Sequence, residues 1–529
     1  MFTPPEDALG AELVWWREDG DRHTLLTIVG PLFADPIGAP GVTLTFALHD
    51  VDGRFVTSWQ RELGADETLF VDSREKNADI PSGLSEGALV VWVTPTQERP
   101  ARADRYSRLY AMVDWFSDRG ELVSLHTDQS VVSDSQPVEL TETVFLETAS
   151  TRTSLVYVNG PEEQPPAALH LVLRNRRGEE RAFDYPRAMA PFSVHAIALR
   201  EHVDDLVELC GGVEATVTGR FAARRLYMRP YVMTEGAIVS GYHGGNRYPR
   251  MPGIPRLVHR TFPYAEVRDS VPPELMLVTG QKEMNPAYAT HGPSLTTRLH
   301  LFQSHGDLEE DFFVDASLHD MTGRLVAHRE RWAVAPRRGA TTCDIADLLG
   351  GQPFEGHVAL RFSDDKTKQA YPCRLQALME YRTDVSVART MLWSDRWNAA
   401  DRVQAQRPYR ALFRVFSRGP RMSTLAVTNP SVAADYDRSA PYVIRLRTRG
   451  GQELIHRGIL GPHATVRAAI DELFPDRSDD ELALAIVESP FDLASMHLTK
   501  DSRSGVVAAE HLMAVPERVG DVVLSPCGA

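Results

Sequence analysis

The sequence predicts an all-β fold: four tandem β-sandwich-like repeat units arranged as two pairs, with short helical caps and a Pro-rich central connector. Three observations predict it. A leucine-to-glycine turn motif recurs four times, apolar segments of strand length flank every copy, and no β-α-β alternation occurs. The motif reads Leu48-His-Asp-Val-Asp-Gly53, Leu173-Arg-Asn-Arg-Arg-Gly178, Leu318-His-Asp-Met-Thr-Gly323 and Leu446-Arg-Thr-Arg-Gly-Gly451. In each, glycine supplies the positive φ of a tight turn, and Asp or Asn hydrogen-bonds the turning backbone.

Upstream of the turns lie apolar strands: Leu25–Val29, Leu155–Val158, Leu299–Phe302 and Leu425–Asn429. They stop at Gly, Asn, Pro or Ser, as strand ends do. Downstream, three copies carry an acidic stretch with leucines three or four apart: His202–Leu209, Asp344–Leu349 and Ala468–Phe474. These are short helical caps over one end of a sheet pair. The first copy has Asn77–Pro81 there and is degenerate. Each unit is then expected to close with a hairpin whose strands include Ala88–Val93, Val213–Val217, Val358–Phe362 and Leu482–Val487. A last strand follows at Glu121–His126, Ala237–His243, Val385–Arg389 and Val506–His511. Two packed antiparallel sheets need this order of elements.

The step from Gly53 to Gly178 nearly equals that from Gly323 to Gly451, whereas Gly178 to Gly323 is longer. This spacing predicts units at 1–130, 131–243, 294–400 and 401–529, with an ordered connector at 244–293. The connector holds Pro249, Pro252, Pro255, Pro263, Pro272, Pro273 and Pro286, and its Phe262, Tyr264, Met276 and Leu277 argue that it packs on something.

Composition narrows the class of function. The 72 acidic against 57 basic residues give a net charge of −15, which repels nucleic-acid phosphate. The best basic cluster is only Arg174, Arg176 and Arg177. No apolar run approaches the ~20 residues of a membrane span. The amino terminus has prolines and acids where a secretory signal needs a basic start, so the expected location is cytoplasmic. Cys210, Cys343, Cys373 and Cys527 form no CxxC pair and read as buried thiols in a reducing compartment.

Standard catalytic motifs are missing: no G-x-S-x-G, H-E-x-x-H, G-x-x-x-x-G-K or G-x-G-x-x-G. The densest polar-aromatic set is Tyr242, His243, Asn246, Arg247 and Tyr248, with His259 and Arg260 following. Adjacent glycines Gly244 and Gly245 let backbone approach a ligand, while rings stack and Arg or Asn orient it, which suits a sugar or a carboxylate. A second set is His300, His305, Asp307, Glu309, Glu310, Asp311, His319 and Asp320, imidazoles and carboxylates that suit a divalent ion or an acid/base pair. Third, His126, His243 and His511 stand at equivalent strand ends, and the third copy offers Arg389 or Thr390 near that place. Trp15, Trp16, Trp393 and Trp397 read as wedges between sandwiches.

The arrangement resembles immunoglobulin-like or fibronectin-like modules in architecture only, because the Cys–Trp–Cys pattern is absent. Two functions follow. One is a non-catalytic binding or scaffold protein presenting a surface to carbohydrate or protein ligands, with no nucleic acid and no membrane partner. The other is an enzyme with its active site in the cleft between the halves around His243 and His259. No cofactor is predicted under the first. The second admits a divalent metal held by His243, His259, His300 or His305.

Overall fold

The segment Ala440–Thr448 (APYVIRLRT) shows how these strands arise. Tyr442, Ile444 and Leu446 are buried, and the residues between them, Val443, Arg445 and Arg447, are only partly so. Period-two burial of this kind fixes one face of a strand to a core. By contrast, Leu482–Ser489 is buried on nearly every residue, as a central strand covered on both faces must be.

The computed structural model describes residues 5, 8, 10–30, 41–64, 67–75, 84–96, 110–127, 139–221, 230–243, 246–247, 283–303, 311–336, 338–363, 375–392, 395–396, 409–431, 436–477, 481–491 and 493–511. It forms two compact units, Met1–Arg247 and Tyr248–Ala529.

In the first unit, the first sandwich runs β1 (Gly10–Arg17), β2 (Arg22–Val29), β3 (Val42–Asp50), β4 (Phe55–Leu63), β5 (Thr68–Asp72), β6 (Glu86–Pro95), β7 (Tyr110–Ser117) and β8 (Leu122–Thr127). Its sheets are β1-β6-β3-β4 and β5-β2-β7-β8. The second runs β9 (Glu139–Phe145), β10 (Thr151–Val158), β11 (Leu169–Arg174), β12 (Glu180–Asp184), β13 (Val194–Ala198), β14 (Ala215–Phe221), β15 (Tyr231–Gly236), β16 (Ser240–His243) and β17 (Asn246–Arg247). Its sheets are β12-β11-β14-β9-β17 and β13-β10-β15-β16.

In the second unit, the third sandwich runs β18 (Glu283–His291), β19 (Thr296–Gln303), β20 (Phe312–Asp320), β21 (Leu325–Ala335), β22 (Thr341–Asp344), β23 (Phe354–Ser363), β24 (Leu375–Arg382), β25 (Val387–Leu392) and β26 (Asp395–Arg396). Its strands are ordered β21-β20-β23-β18-β19-β24-β25, with β22 on β19, β26 on β18, and its two layers joined where His291 pairs with Thr296. The fourth runs β27 (Tyr409–Phe416), β28 (Arg421–Thr428), β29 (Ala440–Thr448), β30 (Glu453–Leu460), β31 (Thr465–Ala469), β32 (Leu482–Ser489), β33 (Ala494–Asp501) and β34 (Val507–His511), in sheets β27-β32-β29-β30 and β31-β28-β33-β34.

One pattern is therefore built four times. The fourth, third, sixth and first strands of a copy make one layer, and the fifth, second, seventh and eighth make the other. Gly53, Gly178, Gly323 and Gly451 all close the hairpin of the third and fourth strands with φ between 82° and 90°. The caps form where expected, as α1 (Leu206–Cys210), α2 (Ala346–Leu349) and α3 (Ile470–Leu473). The degenerate first copy, Asn77–Pro81, lies outside the described residues.

Two expectations are corrected. The sixth strand of each copy does not form a closing hairpin. It sits between the first and third strands, and the chain then crosses to the other layer for the seventh and eighth. The first strands β1, β9, β18 and β27 have no counterpart in the sequence reading. Glu283–His291 falls within the stretch assigned to the connector, because Pro286 there argues against a strand although it pairs with Ala359. Residues 248–282 of that stretch lie outside the described residues.

The fourth sandwich has one core drawn from both its layers, including Phe413, Leu425, Ile444, Ile470 and Val487. The core of the third, with Leu299, Leu318, Leu360 and Met379, continues into Met496, Leu498 and Ala509 of the fourth. No helix among the described residues is long and apolar enough to cross a membrane.

Candidate functional site

The two sandwiches of each unit meet through the same joint. In the first unit, the β3–β4 turn enters the loop before β13: the Val51 carbonyl accepts a hydrogen bond from the Val194 amide at 2.9 Å. A Cβ on Gly53 would stand 2.1 Å from the Pro191 carbonyl oxygen, so only glycine lets the backbones approach this closely. In the second unit, the Met321 carbonyl accepts from the Thr465 amide at 3.1 Å, and a Cβ on Gly323 would stand 2.1 Å from the Pro462 oxygen. Phe192 and His463 occupy matching sites after those prolines, with φ of 59° and 55°.

A buried asparagine holds each receiving loop in shape. Asn159 Nδ2 donates to the carbonyls of Glu162, Met189 and Ala190 at 2.8–2.9 Å. Asn429 Nδ2 donates to Arg438 and Gly461 at 3.0 Å and to Leu460 at 3.5 Å, while its Oδ1 accepts from the Tyr436 hydroxyl at 2.9 Å. Elsewhere in the joint, Trp115 Nε1 donates to the Trp15 carbonyl and its ring meets Tyr231 edge-on at 4.7 Å. The Tyr381 hydroxyl matches it, donating to the Tyr288 carbonyl and meeting the Met496 sulfur. The side chains that cross between the sandwiches are therefore Trp115 and Tyr381, while the Trp15 ring packs on Trp115 within its own sandwich, and Trp393 and Trp397 lie outside the described residues.

Gly451 has a φ of 89°, but a Cβ added to it would meet nothing within 4 Å, so it separates turn strain from joint contact. Gly451→Ala is expected to cost about 1 kcal/mol, from the left-handed backbone alone. Gly323→Ala should cost about 2 kcal/mol more, because the joint must also part. Urea denaturation of the two variants measures the difference.

The two joints differ in what fills them. In the first, the His49 ring packs on Phe192 at 4.7 Å, and His49 faces Ala88 across the strands. In the second, three imidazoles stack: His319 lies 4.9 Å from His357 and 4.8 Å from His463, with ring planes within 10° of parallel. His357 Nδ1 shares a hydrogen bond with Thr465 Oγ1 at 3.2 Å, and Thr465 Oγ1 one with Thr428 Oγ1 at 3.0 Å. Burial, with the neighbouring imidazoles adding to it, pushes His319 down to about 4 and holds His357 well below the usual histidine range. Burial also lowers His49. Stacked rings direct their nitrogen lone pairs side by side and not toward a shared point. Among the described residues no group of three or more His, Cys, Asp or Glu is arranged to hold a metal ion.

The remaining histidines of interest belong to closed networks. His300, buried, shares hydrogen bonds with Thr342 Oγ1 through Nδ1 and Glu380 Oε2 through Nε2, both at 2.9 Å. Glu380 also accepts from Nε of Arg389 and of Arg382 at 3.0 Å. Burial alone would raise this carboxyl, but Arg389, His300 and Arg382 outweigh it and hold it well below the usual range. In the second sandwich, the Tyr185 hydroxyl lies 3.0 Å from His195 Nδ1, His195 Nε2 lies 2.8 Å from Ser193 Oγ, and Ser193 donates to the Ala190 carbonyl. That serine spends its proton on a carbonyl, so the pair is a structural relay and not a primed nucleophile.

Of the ligand candidates, Tyr242 is buried and its hydroxyl donates to the Val144 carbonyl inside its own sandwich. His243 of β16 pairs with Tyr231, and Asn246 and Arg247 pair with β9 through Leu140 and Glu139. Tyr248, His259, Arg260 and His305 lie outside the described residues. Of the second set, His300 and His319 enter separate networks, and Asp307, Glu309 and Glu310 lie outside the described residues. Register places Met391 opposite Leu378, where the other copies carry His126, His243 and His511. Cys210 and Cys343 are buried, and burial, with Glu147 adding to it, pushes the Cys210 thiol up to about 12. The sequence reading missed His357, His463, Asn159 and Asn429. A signal for the first was the Glu-Gly pair shared by Glu86-Gly87-Ala88 and Glu355-Gly356-His357, which marks equivalent sites with different side chains.

No family model and no curated protein matches the chain. A solved structure described as a tetra-tandem repeat in the extending region of a large adhesion protein is similar at 10% identity, covers 96% of this chain and 100% of its own, and has a TM-score of 0.11. A TM-score that low bears on neither fold nor function.

Proposed function

We propose that the chain is a non-catalytic binding scaffold, made of two pre-stiffened modules of two sandwiches each. The observation that carries this reading is the joint built twice on the same plan, with a turn glycine seated against a proline carbonyl and a backbone hydrogen bond beside it. Such a joint leaves two sandwiches little freedom to move, which suits a protein that presents surfaces at set spacing. The fate of the reactive side chains supports the same view, since His195 and His300 are consumed in internal hydrogen bonding. The ligand is a protein or a carbohydrate. The edge strand β30, with Ile455 and Ile459 exposed (45% and 73%), favours a protein partner.

The experiment is to produce residues 1–247 and 248–529 separately, beside the single sandwiches 1–130 and 401–529. The scaffold reading expects each pair to melt in one cooperative transition at the temperature it has in the full chain, and each single sandwich to melt lower. Two separate transitions within a pair, one per sandwich, would remove the module on which the reading rests.

A further inference from the structure

The two joints share a backbone plan but not a chemistry, and the difference points to a response to acid. The first is filled by His49, Ala88 and Phe192. The matching residues of the second are His319, His357 and His463. We propose that the column His319–His357–His463 is a proton-operated clasp, which holds the third and fourth sandwiches together near neutral pH and releases them in mild acid. The first pair, where Ala88 and Phe192 stand in place of two of the imidazoles, stays closed over the same range.

His357 is fully buried between a ring from its own sheet and the Thr465 hydroxyl of the fourth sandwich. A proton on any ring would place a cation in a stack of imidazoles at van der Waals spacing, and a second proton would set like charges about 5 Å apart. Opening the joint hydrates all three.

The charged and titratable groups around the column do not offset this. Asp320, on the turn, favours a proton on His319, but it already accepts from Arg324 Nε at 3.1 Å. His328 of β21 acts against it. Beside His357, Glu355 takes the Tyr288 hydroxyl and pairs with Arg467 of β31. On the loop side, Tyr436 meets His463 edge-on at 5.6 Å, with Asp437 and Arg438 of opposite charge next to it.

The sign follows from linkage. A histidine whose folded value lies below its free value of about 6.5 contributes stability above that value, and loses it as pH falls toward the folded value. For His319 that window runs from about 6.5 down to about 4.

The test is amide hydrogen exchange on the full chain, corrected for intrinsic rate, read at Thr465 and at its counterpart Val194. From pH 7 to 4.5, protection at Thr465 is expected to fall on the order of tenfold or more relative to Val194. In the variant His357→Ala with His463→Phe, which installs the first joint's side chains in the second, Thr465 should follow Val194. Equal pH dependence at the two amides of the native chain overturns the proposal, as does an unchanged fall in the variant. Should the variant not fold, the comparison within the native chain decides alone.

Discussion

Glu380→Gln is expected to destabilise the second unit by about 3–5 kcal/mol, the cost of removing one member of a buried ion cluster. Glu380 and His300 are inaccessible to solvent, and Arg389 is 1% exposed. Gln keeps the volume of the side chain but withdraws the charge that Arg389 and Arg382 lean on. For a unit of this size the melting temperature should fall by roughly 10 °C. Arg382→Ala is the control, since that partner is 27% exposed and its removal should cost under about 1 kcal/mol. The pH dependence gives a second reading. Because the folded carboxyl lies well below its free value of about 4.3, its contribution is present above that pH and fades as pH falls through the folded value. Calorimetry from pH 7 to 3 should therefore show the native and variant curves converging only in strong acid. A variant within about 1 kcal/mol of the native protein at pH 7 would mean that the cluster contributes little.

Asn429→Ala is expected to cost about 2–4 kcal/mol, and Asn159→Ala about 1–3 kcal/mol, each within its own unit. Alanine withdraws both amide protons from the loop carbonyls, of which Met189, Ala190 and Gly461 keep a second donor in Gln164, Ser193 and Ala464. At Asn429 it also leaves the Tyr436 hydroxyl without its acceptor. A buried polar group left unmet costs about 1–3 kcal/mol, and at Asn429 the Arg438 carbonyl and the Tyr436 hydroxyl lose this partner together. The loop also carries the joint, so exchange at Thr465 or Val194 should accelerate in the corresponding variant and not in the other. Thermal denaturation of the two variants, with exchange at those amides, checks both statements.

The repeat was legible because its determinants are local. Six residues from Leu48 to Gly53 contain a strand end, a turn-forming Asp50 and the glycine. The structure uses each as chemistry dictates, with Asp50 Oδ1 accepting the Asp52 and Arg54 amides. The joint was not legible, since it brings Gly53 to Pro191 and Gly323 to Pro462, and no periodicity encodes such distant meetings. Both asparagines did stand in view, each ending a strand ahead of Gly160-Pro161 or Pro430. A strand-ending Asn is ordinary, however, and only the fold shows which loop its amide threads. The cluster beginning at Tyr242 drew attention by local density of rings and polar groups, yet Tyr242 turns inward to Val144. Local density cannot tell an inward phenol from an outward one. The strand β18 was hidden by Pro286, which sits in the sheet and forgoes one donor there.

The joint is directional. The first sandwich of each pair supplies a turn, and the second supplies the loop that receives it. The second sandwich's own turn is left unused: a Cβ on Gly178 would have only Arg174 Nη1 within 4 Å among the described residues, and one on Gly451 nothing. Each joint is thus asymmetric in what it can lose: a change in the receiving loop of the second sandwich should open it, whereas a change in that sandwich's own turn should leave it closed.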